Sequence, residues 1–283
     1  MKRYFILLLV IASCNLSNKK EDVAKDDKKV EKKVLSASDS IRVRGYVEKS
    51  FQNPMHSLEY QQYLDSALTI VPESAWLWQL KAMGLYKSRK YQLGEPFLEK
   101  AVEYAPEKYL DYSGFMRCIF SKDYIGSISE FMRAKKEFGD GYVMDHTYNF
   151  YIGLDYLQLN EFSKAKEFLL LSKEQQFKDF SDDPPQEACH YLDWYYLGIA
   201  DFELGNYQEA ITSFDMSLKV YENFAEALYF KGKGMTKLGN EEGAEWEKKA
   251  FENAENTINE DNVIYEIYPY QVFHKLNESA RPK

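Results

Sequence analysis

The chain has 283 residues and a net charge of −9; 45% of it is hydrophobic and 16% aromatic, with 23 tyrosines and 18 phenylalanines. That apolar content suffices for a large core. The acidic balance excludes a general nucleic-acid binder, because a phosphate backbone needs a basic face, and leaves a solvated helical surface as the reading of the charge.

Lys2 and Arg3 precede a short apolar run, Phe5 to Ala12, which ends at Ser13-Cys14. A charged start, a brief apolar stretch and a small-residue exit make the layout of a secretory signal, too short to span a bilayer permanently. Ile11-Ala12-Ser13-Cys14 resembles the lipobox of bacterial lipoproteins. The resemblance implies that 1–14 is a leader with its lipidation site at Cys14. It also implies an address at a bacterial outer membrane or cell envelope, with the periplasmic or surface side left open. Residues 15–40 are charged and almost free of large apolar groups, so they read as a solvated tether. Fully extended, that tether reaches roughly 85 Å.

From Ile41 onward, apolar residues recur at helical spacing in paired segments. In 41–74, Tyr60, Tyr63, Leu64, Ala67 and Leu68 mark a second helix, while Asn53-Pro54 ends a weakly patterned first one. Pairs follow over 75–107, 108–141 and 146–173. Lys173–Cys189 exceeds a normal turn. Asp183 as N-cap with Pro184 in the first turn predicts an extended leading helix for the next pair, 186–224. A last pair occupies 225–258. In 261–283, Val263, Ile264, Tyr265, Ile267, Tyr268, Tyr270, Val272 and Phe273 are too apolar for water, and Pro269 interrupts any long helix. This end reads as a cap over the last pair, whose outer side is otherwise open.

The clearest pattern lies in Tyr191–Leu218. Trp194, Leu197 and Gly198 stand at W-x2-L-G spacing, Gly205-Asn206 breaks the helix, and Tyr207, Ala210 and Phe214 follow with A-x3-F spacing. The stretch resembles one tetratricopeptide (TPR) repeat closely. Gly198 and Ala210 are small where two antiparallel helices cross. The register returns forward at Gly232 and Ala244, and backward at Gly153, Phe162 and Ala165, at Tyr124, Ser127 and Phe131, and at Ala82, Tyr91, Gly94 and Leu98. Pro72 and Pro106 repeat at the family's 34-residue period, as do Ala67 and Ala101. Glu222, Lys248 and Phe115 depart from the pattern, Phe115 filling a Gly slot.

What the resemblance implies is an all-α solenoid of about five or six helix pairs, the first of them degenerate, whose first helices line a concave groove for a protein or peptide partner. Carrying the register across, the inward slots hold Trp76, Gln79, Met83 and Tyr86; Tyr109, Tyr112, Met116 and Ile119; Phe150, Leu154 and Leu157; Tyr195, Ile199 and Phe202; and Tyr229, Lys233 and Lys237. Of these, Trp76, Met83, Tyr86, Tyr112, Met116, Phe150, Tyr195, Phe202 and Tyr229 are the candidate partner-binding residues. The Lys/Asn set that grips a C-terminal carboxylate in chaperone-binding relatives is missing. Two functions fit: a membrane-anchored scaffold of the cell envelope, which is favoured, or a surface lipoprotein that captures a glycan on an aromatic helical platform.

No enzyme chemistry accompanies this frame. His56, His146, His190 and His274 are scattered, without H-E-x-x-H spacing, and Cys189-His190 lacks a second cysteine nearby, so no metal is expected. Cys118 falls on a packing face and reads as a buried thiol. No nucleophile elbow, phosphate loop or dinucleotide fingerprint is present, and no cofactor is implied.

Overall fold

The computed structural model describes residues 35–258 and 266–274. The leader 1–14 with Cys14, nearly all of the tether, and both flanks of 266–274 lie outside the described residues. Consecutive helices pack as antiparallel pairs: α1 (Ala37–Phe51) with α2 (Leu58–Leu68), α3 (Ala75–Tyr86) with α4 (Tyr91–Tyr104), and α5 (Pro106–Met116) with α6 (Tyr124–Phe138). Then come α7 (Tyr148–Gln158) with α8 (Phe162–Asp179), the four-residue α9 (Pro185–Ala188), α10 (Tyr191–Glu203) with α11 (Tyr207–Val220), and α12 (Ala225–Lys237) with α13 (Gly243–Glu252). One apolar core runs from Ala82 in α3 to Tyr268, and smaller clusters seal the two ends.

From the second pair onward the helices close tightly, because a glycine stands where each pair meets. A Cβ on Gly198 would lie 2.5 Å from the Phe214 ring of the facing helix. The turns inside the pairs share a second device, a residue with left-handed backbone that ends the first helix. Gly205 and Gly239 serve two pairs, with φ of 80° and 78°, and Asn160 serves a third with φ of 58°. Arg89 and Lys122 take the same conformation, with φ of 57° and 58°. For a residue with a Cβ this costs about 1–2 kcal/mol, so these two positions are strained.

Four local expectations change. Helix α1 starts at Ala37, inside the segment expected to be tether, because Val43, Tyr46 and Val47 pack against the α2 cluster and extend the ordered turn backward. The Lys173–Cys189 excursion is taken up mainly by a long second helix, α8; α9 is a separate turn that follows Pro184, and His190 starts α10 by accepting Leu192 N–H. Tyr142–Val143 and His146–Thr147 pair as a small antiparallel hairpin, β1 and β2. Its two-residue loop, Met144-Asp145, has positive φ at both positions, as a right-twisted hairpin favours.

The last change is one of register. Gly153 faces Leu169 and Gly198 faces Phe214, but the glycine that faces Phe131, the ring in the same slot, is Gly114 and not its neighbour Phe115. The pair 108–141 therefore carries one extra residue between crossing and turn. It is absorbed as a π-turn, Arg117–Ser121, directly after α5, the usual way a helix accommodates an insertion. Arg117 fastens the π-turn through ion pairs with Glu95, Glu99 at 3.2 Å, Asp123 at 2.5 Å and Glu130 at 3.4 Å.

Candidate peptide-binding face

The nine candidate residues divide by exposure. Trp76 is 44% exposed, and Met83, Tyr112, Phe202 and Tyr229 are half-buried. Tyr86, Met116, Phe150 and Tyr195 are buried, so of the inward slots implied by the register these four pack within the array. Each has its own cause. Tyr86 is enclosed by Tyr91 and Phe120, with ring centres 5.5 and 6.3 Å away. Phe150 is stacked at 4.0 Å on His146 and meets Tyr196 edge-on. Met116 turns inward because of the one-residue slip, which also leaves the Tyr112 hydroxyl donating to the Met83 sulfur. Tyr195 is covered by a different part of the chain.

That cover is 266–274, which has no regular secondary structure and lies against the first-helix face. Tyr195 and Tyr196 of α10 donate their hydroxyl protons to the Tyr270 and Pro269 carbonyls, both at 2.8 Å. Lys122 donates to the Ile267 carbonyl at 2.6 Å. At the other end, Glu226 of α12 accepts the Val272 and Phe273 N–H groups at 3.3 and 3.2 Å, and the Thr257 hydroxyl shares its one proton between Glu226 and the Phe273 carbonyl, the latter at 2.8 Å. Glu266 receives the Tyr91 hydroxyl and pairs with Arg89 at 3.5 Å. Side chains add apolar contact: the Tyr270 ring lies 6.0 Å from Phe230, and the Phe273 ring lies 6.2 Å from Tyr229 and 5.3 Å from Phe251.

This face is built to hold a backbone. Most of its polar contacts to the segment reach backbone carbonyls or amides, which any chain presents; the Glu266 side chain adds others, and Gln271 Nε2 donates to the Ile258 carbonyl at 2.9 Å. Tyr195, Tyr196, Glu226 and Thr257 are buried, so each of these left unpaired would carry a desolvation penalty of about 1–3 kcal/mol. Burial pushes the pKa of the Tyr195 and Tyr196 hydroxyls well above the ordinary tyrosine range, so both keep their protons. It also pushes the Glu226 carboxyl up, against the opposing pull of its Thr257 and backbone hydrogen bonds. Sequence spacing places Tyr195 and Tyr229 here. It misses Tyr196, Glu226 and Lys122, whose partners lie 73, 46 and 145 residues away. The one available sign was the apolar tail itself, expected only as a cap; Phe273 does pack on Ala225, Leu228 and Ala250 of the last pair.

Folding also gathers a set of donors that are far apart in sequence. His146, His190 and Asp193 offer atoms within 4.8 Å of one another, with His146 Nδ1 3.8 Å from Asp193 Oδ2. Their other bonds oppose a metal. His190 Nδ1 accepts Leu192 N–H at 3.2 Å, so the neutral ring keeps its proton on Nε2 and has no free lone pair for an ion. Asp193 is fixed by Ser172, which also bonds Thr147 at 2.7 Å. The cluster locks the hairpin to the start of α10.

The Tetratricopeptide repeat family matches residues 191–224 of the chain. No curated protein matches it. Among solved structures it is similar to PilW, described as a widely conserved type IV pilus biogenesis factor, at 17% identity over 78% of this chain and 92% of that one, with a TM-score of 0.54. It is similar also to pilF of Pseudomonas aeruginosa, at 14% identity over 80% and 96% of the two chains and a TM-score of 0.54. A third likeness is to the C-terminal part of a TPR repeat-containing protein from Cytophaga hutchinsonii, at 15% identity over 75% and 79%, with a TM-score of 0.53. At these identities the likeness is one of fold, and the fold is an all-α solenoid of TPR type.

Proposed function

We propose that the protein is a scaffold that binds a segment of another protein on its first-helix face, and that a lipid on Cys14 tethers it in the bacterial cell envelope. The observation that carries the binding half is the seating of 266–274 by Tyr195, Tyr196, Lys122 and Glu226, since a face that holds one backbone has the groups to hold another. The tether rests on the leader layout, Lys2-Arg3, the apolar run and Ser13-Cys14. A role in envelope assembly agrees with the pilus biogenesis described for PilW, a protein of similar fold. We favour this reading over a glycan platform because the Tyr195 and Phe150 rings are buried among other rings and, of the nine candidate residues, only Trp76 is exposed.

Two measurements test the proposal. Stable retention at a membrane needs acyl chains, so Cys14→Ser is expected to release the protein from the membrane fraction or leave it unprocessed. Unchanged fractionation and processing would remove the lipoprotein half. In-cell crosslinking from Trp76, the exposed one of the candidate residues, is expected to capture an envelope protein. Capture of nothing above background would remove the scaffold half.

A further inference from the structure

We propose that residues 266–274 are an intramolecular competitor: they occupy the binding face until a partner segment of the same chemistry displaces them. The inference rests on the reading of that face as a peptide site and adds its ligand class and its regulation. The ligand class follows from what is held. It is a segment with an acidic residue near its start, an aromatic-proline-aromatic step that makes a turn, with Tyr270 at φ 55° and Gln271 N–H bonded to the Tyr268 carbonyl at 3.2 Å, and an apolar-aromatic step at its end, as in Glu266, Tyr268-Pro269-Tyr270 and Val272-Phe273.

Three observations separate a competitor from a cap. First, a cap needs to reach only the last pair, where Phe273 fills the gap beside Ala225, Leu228 and Ala250. The segment instead continues back over α10 and reaches Lys122 and Tyr91, at the turns of the second and third pairs. Second, capping is apolar work, yet the array puts buried polar groups there: Glu226 is fully buried, and both tyrosine hydroxyls point at backbone carbonyls. Third, the two strained turn residues, Arg89 and Lys122, are the two whose side chains bind the segment, at Glu266 and at the Ile267 carbonyl. The fourth, fifth and sixth pairs have Asn160, Gly205 and Gly239 at that position. A strained cation kept where glycine would fit is strain held for a contact, and the contact is this segment.

The test uses the full chain and a synthetic peptide of residues 266–274. Tethering gives the native segment an effective concentration near the millimolar range, so the wild-type protein is expected to bind the peptide weakly. The variant Tyr268→Ala/Tyr270→Ala/Phe273→Ala weakens the internal segment without touching the face, and is expected to bind the peptide at least about tenfold more tightly. Adding Tyr196→Phe to that variant is expected to lower the affinity severalfold. A triple variant of native helix content that ignores the peptide, or binds it no better than wild type, overturns the proposal. If the triple variant does not fold, hydrogen exchange on the wild-type chain decides. Val272 and Phe273 amides that exchange faster than those of α10 support a displaceable segment. Exchange in one cooperative step with α10 overturns it. The two readings fail differently. Equal capture of an envelope partner by wild type and triple variant sinks the competitor and keeps the scaffold. No captured partner together with no peptide binding sinks both.

Discussion

Gly198→Ala tests the crossing on which the helix-pair geometry depends. The new methyl carbon would lie 2.5 Å from Phe214 Cε1 and 2.7 Å from Cδ1, against about 3.5–4 Å for an ordinary contact. Phe214 is fully buried, with the Tyr195 and Phe230 rings centred 6.0 and 6.3 Å away, so its ring cannot retreat without moving them. Overpacking of this kind costs about 1–3 kcal/mol. Replacing glycine inside a helix returns about 0.8–1 kcal/mol. The net expectation is a loss of roughly 1 kcal/mol, read as a fall in Tm of about 2–4 °C for an array of this size. Gly45→Ala is the matched control, because Gly45 in α1 has nothing within 4 Å of its Cβ position. That change is expected to raise Tm. Combining Gly198→Ala with Phe214→Leu should recover part of the loss as a favourable coupling in a double-mutant cycle. If Gly198→Ala raises Tm as Gly45→Ala does, the helices do not meet at Gly198 and the pairing geometry is wrong.

Other expectations follow from single features. Burial and the neighbouring His146 lower the His190 pKa from 6.5 to about 4, so the unfolded chain takes up this proton first on acidification. Its contribution is full above pH 6.5 and is lost as the pH falls toward 4, about 3 kcal/mol in all. Urea unfolding across that window should show a flatter profile for His190→Asn, which keeps the N-cap acceptor without titrating; matching slopes would clear His190 of the effect. Burial raises both the Cys118 and Cys189 thiols, Cys118 further through Asp155. In a Cys14→Ser chain a thiol reagent at neutral pH should therefore find both only after denaturant is added, and rapid labelling of the native chain would contradict their burial. Arg89→Gly relieves a left-handed residue and should stabilise the array by about 1 kcal/mol in urea titrations, less whatever the exposed pair with Glu266 contributes. A loss of stability would show that the turn is unstrained.

Periodicity alone was enough for the architecture. Small residues at Gly198 and Ala210, a breaker at Gly205-Asn206 and a ring at Phe214 recur because every pair solves the same crossing problem, and a repeated local solution is visible one residue at a time. The slip at Phe115 was not visible. An extra residue inside a helix leaves residue classes almost unchanged, and only the Phe131 ring across Gly114 shows which residue stands at the crossing. The candidate face was half legible for a related reason. Register places Tyr195 and Tyr229 on one side of the stack, but what lies over them is a segment with no periodic relation to the helices. The hydroxyl of Tyr195 finds its carbonyl 75 residues away in sequence. Contacts of that kind follow from the direction in which stacked pairs carry the chain back on itself, and only the tertiary structure contains that direction.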